Sequence, residues 1–159
     1  MEPTYENIVT FMDNYFKDFC EYAQDPKTSP RMNHYFAPDF EFVPYIAELA
    51  SISGREEFLR LISAHPSSFE KLTTEDIMVD EKRMVAVVLI KAEIIEKATG
   101  KVLVTKRYHP LYQLVLSKDE SLQIQKILFF EEILPPGTLN VGDVLRRDPG
   151  IADLFSNRH

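Results

Sequence analysis

The sequence predicts an α+β fold, with amphipathic helices first and a long antiparallel sheet after them. Two observations carry that expectation. In the first part of the chain apolar residues recur at three- and four-residue steps, and beyond Ser68 they alternate at the period of strands. The strand-like segments are separated by turns short enough for hairpins: Asp80 to Arg83, Thr99-Gly100 and Ser117 to Ser121.

From Thr4 to Ala23, the residues Ile8, Phe11, Met12, Tyr15, Phe16, Phe19 and Tyr22 fall on one face of a helix. Glu6, Asn7, Asp13, Asn14, Lys17 and Glu21 fall on the other, where water solvates them. A polar loop follows, and Ser29 with Pro30 has the pattern of an N-cap and first helical residue for a short helix ending near Phe36, closed by Pro38. Phe40-Glu41-Phe42-Val43 alternates like a half-buried strand, which Pro44 should end or bulge because it has no N–H for the ladder. Ile46 to Ile52 fits neither pattern. Ser53 and Glu56 form a capping box for a second long helix through Phe58, Leu59, Leu61 and Ile62, stopped by Pro66.

Four strands are expected near Phe69 to Val79, Met84 to Glu96, Val102 to Leu116 and Leu122 to Leu134. The middle two exceed the usual ~5 to 6 residues, and Pro110 lies inside one of them. A bulge and a bend are expected there, leaving the sheet with a concave face. Leu134-Pro135-Pro136-Gly137 ends the sheet, so residues 1–134 read as the domain and 135–159 as a C-terminal tail. That tail has weak helical signals at Val141 to Arg146 and Ile151 to Phe155.

The length of 159 residues suits one domain. Eleven Phe, seven Tyr and no Trp supply a packed core. The net charge of −7, with no Lys/Arg cluster, argues against a nucleic-acid partner. No stretch approaches the ~20 apolar residues needed to cross a bilayer, and Met1 to Ile8 lacks a basic segment before an apolar run, so no membrane association and a cytoplasmic location are expected. The single cysteine, Cys20, has no disulfide partner in the chain and reads as a small buried residue rather than a nucleophile. There is no Gly-rich phosphate loop, G-x-S-x-G elbow, H-E-x-x-H or cysteine pair. His34 with Asp39, and His109 with Glu131 and Glu132, lack a recognisable ligand spacing, so neither metal nor cofactor is expected.

Three helices ending in the capped run Ser53-Gly54-Arg55-Glu56-Glu57-Phe58-Leu59, the segment Tyr35-Phe36-Ala37-Pro38-Asp39, and a meander closing on Phe129-Phe130-Glu131-Glu132 resemble the nuclear transport factor 2-like superfamily over roughly Tyr5 to Ile133. The resemblance implies a cone-shaped, curved antiparallel sheet packed with N-terminal helices around an apolar pocket, a cystatin-like topology. It also implies a small, largely apolar or polycyclic ligand, with cofactor-free acid–base chemistry of an isomerase, cyclase or dehydratase. The alternative is a noncatalytic ligand-binding or protein-interaction module.

Comparison with two branches sharpens the expectation. Ketosteroid isomerases carry a carboxylate base just after the first strand, where this chain has Pro44 or Tyr45, and their oxyanion donors would correspond to Tyr15 and, in place of an acid, Tyr112. SnoaL-like cyclases have a catalytic acid on the last strand, where this chain has Phe129, with Glu131 two residues on; Leu145-Arg146-Arg147-Asp148-Pro149 is also similar to their tails. The candidate catalytic residues are therefore Tyr15, His109, Tyr112 and Glu131, with Phe19, Phe42, Tyr45, Phe58, Ile62, Leu114 and Phe129 as ligand-binding wall.

Each candidate has a plainer alternative. Tyr15 lies on a buried helix face, so its hydroxyl needs either a protein partner or a ligand. His109 is the histidine best suited to proton transfer, or else packs at the bend around Pro110; which of Arg107, Tyr108, His109 and Tyr112 turns inward stays open. Glu131 and Glu132 point to opposite sides of a strand, so at most one is enclosed, and both could be solvated. Apolar residues on both faces of Met84 to Leu89, including Val85, Val87 and Leu89, imply a homodimer.

Overall fold

The computed structural model describes residues 2–45, 50–63, 67–130, 136–139 and 141–151. Helix α1 spans Tyr5–Gln24, and Thr4 caps it by accepting the Asn7 N–H on its side chain. Its buried residues, Ile8, Met12, Tyr15, Phe16, Phe19, Tyr22 and Ala23, are those that three- and four-residue spacing selects. The short helix α2, Ser29–Met32, lies between two single 3₁₀ turns at Pro26–Thr28 and Asn33–Tyr35. Pro38 does not close this region, as the sequence suggested. Strand β1, Phe36–Pro44, runs through Pro38, and the register with its neighbour shifts between Phe36 and Glu41. An irregular stretch of strand tolerates a residue that cannot donate to the ladder.

Strand β2, Ile52–Ser53, pairs antiparallel with β1, placing Ser53 opposite Glu41. Gly54, at φ +89°, then turns the chain into helix α3, Arg55–Ser63. Ser53 therefore belongs to a strand, one residue outside the turn where a capping box would hold it. Strands β3 (Ser68–Asp80), β4 (Val85–Glu96), β5 (Val102–Tyr108), β6 (Leu111–Leu116) and β7 (Leu122–Phe129) follow.

Among the described residues, the seven strands form one curved, unclosed sheet in the order β2-β1-β7-β6-β4-β3, with β5 also on β4. All pairs are antiparallel except β1 with β7. That parallel pair departs from a pure meander: the first strand returns to the edge of the last one, and the sheet wraps around α1 and α3.

Pro110 breaks the third long strand into β5 and β6 without inserting a residue. Tyr108 lies opposite Ile90 and Tyr112 opposite Ala86, so the register on β4 is the same on both sides of the break. Pro110 accepts the Val88 N–H through its carbonyl at 3.1 Å and simply lacks its own donor. The register shifts that strengthen local twist lie elsewhere, between Thr74 and Asp76 on β3, between Ile94 and Ile95 where β4 meets the start of β5, and across the β6–β7 pair.

The core joins α1 and α3 to the inner face of the sheet. Rings interlock at tilted angles: Phe36 with Phe40 at 4.7 Å, Phe40 with Phe58 at 5.3 Å, and Phe42 with Phe58 at 5.0 Å between centroids. Helix α4, Val141–Arg146, comes from the segment that reads as a tail, yet Leu145 and Ile151 join the same core cluster. Arg60 of α3 donates to the Gly150 carbonyl at 3.3 Å and ties that segment down. The second helical signal, Ile151 to Phe155, lies outside the described residues beyond Ile151.

Candidate functional site

The concave face of the sheet, α1, α3 and α4 enclose a cavity of about 80 Å³. Its walls are almost wholly apolar. Helix α1 contributes Tyr15 and Phe19, spaced so that both follow the buried stripe, and α3 contributes Phe58, Leu61 and Ile62. Phe42 of β1, Ile90 and Ile94 of β4, Tyr108 of β5, and Ile127 and Phe129 of β7 form the sheet side. Leu145 of α4 completes it.

Four polar side chains interrupt this surface: Tyr15 from α1, Tyr108 from β5, Tyr112 from β6 and Glu70 from β3. Tyr15 and Tyr112 stand edge to face with centroids 5.9 Å apart, and Phe16 meets Tyr112 at 5.8 Å, so packing holds both rings in place. Glu70 lies opposite Ile94 on the inner face of β3. Two strand residues further on, the Leu72 N–H donates to Cys20 Sγ at 3.3 Å, and the Cys20 thiol donates to the Leu72 carbonyl at 3.4 Å. This exchange pins β3 to α1 beside the carboxyl.

Among the described residues, no hydrogen bond or ion pair reaches the Glu70 carboxyl, and none reaches the Tyr15 or Tyr112 hydroxyl. Desolvation raises Glu70 from 4.5 to about 7, because a carboxylate in an apolar cavity loses its hydration. Burial, followed by the negative charge of Glu70, pushes the Tyr15 phenol far above its ordinary value. Burial does the same to Tyr112, reinforced by Tyr15 and then Glu70. Both tyrosines therefore stay protonated and act as donors at any working pH, while the carboxyl changes charge near neutrality. The same burial raises the Cys20 thiol, which fits a small packed residue and not a thiolate nucleophile.

The structure brings together most, though not all, of the residues expected from the sequence. Tyr15, Tyr112, Phe19, Phe42, Phe58, Ile62 and Phe129 line the cavity. Leu114 is buried but sits against Ile124, away from the cavity lining. Tyr45 is 58% exposed and stacks on Phe130 at 4.6 Å, outside the cavity. His109 is exposed, with its backbone N–H donating to the Phe130 carbonyl at 3.2 Å. Since no residue is inserted at Pro110, alternation continues through it: Tyr108 and Tyr112 face inward, and His109 faces out. Glu131 lies outside the described residues.

Glu70 is the residue that sequence reasoning missed, and the reason is a shift in strand phase. Beyond the register shift, Ile77 and Val79 face inward opposite Val88 and Ala86. Before it, Glu70, Leu72 and Thr74 do so, opposite Ile94, Ala92 and Ile90. Carrying the alternation of Ile77 and Val79 back along the strand turns Phe69 inward and Glu70 toward water. The detectable signal is the acid-apolar pair Glu70 and Leu72 on one parity, followed by Ile77 and Val79 on the other.

No protein-family profile matches the chain, and no curated protein matches it in sequence. Solved structures do match in shape. An NTF2-like protein of unknown function from Exiguobacterium sp. 255-15 is 16% identical, with a TM-score of 0.58 over 78% of this chain and 99% of that one. A ketosteroid isomerase-like protein from Erwinia carotovora atroseptica SCRI1043 is 18% identical, with a TM-score of 0.58 over 82% of this chain and 96% of that one. A putative SnoaL-like polyketide cyclase from Jannaschia sp. CCS1 is 14% identical, with a TM-score of 0.59 over 80% of this chain and 86% of that one. Helices packed into the concavity of an unclosed sheet, together with these three likenesses, establish that this chain has the nuclear transport factor 2-like fold.

Proposed function

We propose that the cavity binds a small, neutral, largely apolar molecule and performs cofactor-free acid–base chemistry on it. One observation carries this reading: Tyr15, Tyr112 and Glu70 present polar groups to an apolar cavity with no hydrogen bond from the described protein to satisfy them. Buried polar groups left in that state cost free energy, and a ligand with complementary groups recovers it. Two fixed phenol donors suit a carbonyl or another oxygen acceptor, and their hydrogen bonds strengthen as charge develops on that oxygen. The absence of a cationic side chain from the described lining disfavours an anionic ligand. The free space, about 80 Å³, is well below the ~300 Å³ or more of drug-sized sites, so it suits a single small ring better than a polycyclic skeleton.

The fold is shared with proteins named as a putative polyketide cyclase and as ketosteroid isomerase-like, which supports an isomerase, cyclase or lyase class. The reading includes a homodimer formed through the outer face of the sheet. There Val85, Val87 and Leu111 surround a shallow depression beside Met78, which is 56% exposed.

Native mass spectrometry of the purified protein tests both parts, with the denatured mass as reference. A retained neutral small molecule, absent from a Tyr15→Phe, Tyr112→Phe double variant, is the expected result, on a dimeric mass. A ligand retained equally by that variant removes the tyrosines from the reading, and a strictly monomeric mass removes the dimer.

A further inference from the structure

We propose that the ligand of this cavity is a one-ring lactam, a flat cyclic amide whose adjacent N–H and C=O pair side by side with the Glu70 carboxyl. This rests on the cavity being a ligand site and names the class of ligand it takes. A protonated carboxyl carries an O–H donor and a carbonyl acceptor on one carbon, and burial keeps Glu70 in that form up to about 7. Among the described residues neither half is used, because no hydrogen bond or ion pair reaches the group. A ketone or ether would take the donor and leave the acceptor bare. An amide in a small ring, held cis, meets both at once.

The rest of the lining fits the same ligand. Phe19, Phe42, Phe58, Tyr108 and Phe129 wall the space with aromatic rings, which suit a flat one. The charge of Glu70 reaches both Tyr15 and Tyr112, so the three groups border one space, and either hydroxyl is placed to donate to the second lone pair of the lactam oxygen. Titratable groups that share the cavity or its α1 wall with Glu70 are Tyr15, Cys20, Tyr108 and Tyr112, all neutral when protonated. The described lining residues of α3, α4, β1, β4 and β7 are all apolar. Lys71 of β3 and Lys91 and Glu93 of β4 alternate to the outer face, where Lys91 pairs with Glu93 at 3.0 Å. Lys106 is buried on the inner face of β5, opposite Ala92, but lies outside the lining and holds an interaction of its own.

Protonation decides the pairing. With the proton in place, the Glu70 O–H donates to the lactam oxygen and the lactam N–H donates to the Glu70 carbonyl. Once Glu70 ionises, its donor is gone and a negative oxygen faces the ligand oxygen, so affinity falls as pH rises through about 7. Glu70→Gln keeps a donor and an acceptor on one carbon and has nothing to ionise, so it retains the pairing without the pH dependence. Glu70→Leu removes both groups.

The test is calorimetric titration of the full chain with three one-ring probes: 2-pyridone, 1-methyl-2-pyridone, which lacks the N–H, and phenol. At pH 6 the wild type should bind 2-pyridone about 10-fold or more tightly than its methyl derivative, and that affinity should weaken toward pH 9. Glu70→Gln should bind 2-pyridone within about threefold of wild type at pH 6 and no more weakly at pH 9. Glu70→Leu should lose the preference between the two pyridones. Equal wild-type affinities overturn the proposal, as does a preference that persists in Glu70→Leu, which would come from the bulk of the methyl group. If Glu70→Leu fails to fold, parallel pH profiles for wild type and Glu70→Gln overturn it instead. A wild type that binds phenol but not 2-pyridone overturns the lactam alone, whereas one that binds neither overturns the reading of the cavity itself.

Discussion

Four buried tyrosines surround α1, and they divide by what their hydroxyls meet. At the C-terminal end of the helix, Tyr22 donates to the Leu59 carbonyl and lies 3.1 Å from Ser63 Oγ, which itself donates to Leu59 at 2.9 Å. Tyr35 donates to Asp18 Oδ2 at 2.7 Å, and burial followed by that bond raises its phenol. These two are fastened to the protein. Tyr15 and Tyr112, equally buried and more tightly ringed by aromatics, have their hydroxyls on the cavity with Glu70 between sheet and helix. Burial alone thus does not distinguish a structural tyrosine from a candidate site tyrosine. The distinction lies in whether the surrounding protein completes the hydrogen bonds.

The largest expected effect separates filled core from cavity. Phe40, fully buried between Phe36 and Phe58, should cost about 3 to 5 kcal/mol when replaced by Ala. Chemical denaturation read by far-UV circular dichroism measures this, and a cost below about 1 kcal/mol would mean that the aromatic cluster is not the structural centre.

Next comes Glu70, whose stability effect should have the opposite sign. Its folded value, about 7, lies above its unfolded value of 4.5, so ionising it disfavours the folded state. The cost is absent below about pH 4.5, grows between 4.5 and 7, and is complete above 7. Glu70→Gln should therefore match wild type at pH 4 and exceed it by up to about 3 kcal/mol at pH 9, from the size of the shift. A constant difference across that range would mean that the carboxyl is not desolvated.

The smallest effect sharpens the contrast between tyrosines. Tyr22→Phe should cost about 1 kcal/mol, leaving phenol binding unchanged, because it removes a satisfied hydrogen bond. Tyr15→Phe should leave stability within about 0.5 kcal/mol and weaken phenol binding, because its hydroxyl has no hydrogen-bond partner among the described residues to lose. Equal stability losses in the two variants would erase the distinction.

Much of the fold was legible because it rests on periodicity. The α1 stripe, the α3 face from Phe58 to Ile62, the hairpin turns and the interruption at Pro110 all follow from spacing and from what proline cannot donate. Half of the site was legible for the same reason: Tyr15, Phe19, Phe42, Phe58 and Ile62 face the cavity because they face the core. The errors fall where local phase changes without a local marker. His109 stays outside because Pro110 inserts no residue, and Leu145 reaches the cavity from a segment with only a weak helical pattern.

The amino-acid sequence by itself determined the α+β order, the buried faces of the helices and the aromatic character of the interior, since each depends on residues within a few positions of one another. Only the tertiary structure decided that Glu70 enters the cavity and that Tyr15 and Tyr112 meet there without hydrogen-bond partners among the described residues. A register shift on β3 reverses which residues face inward, and a hydroxyl's partner is supplied by strands and helices distant in the chain.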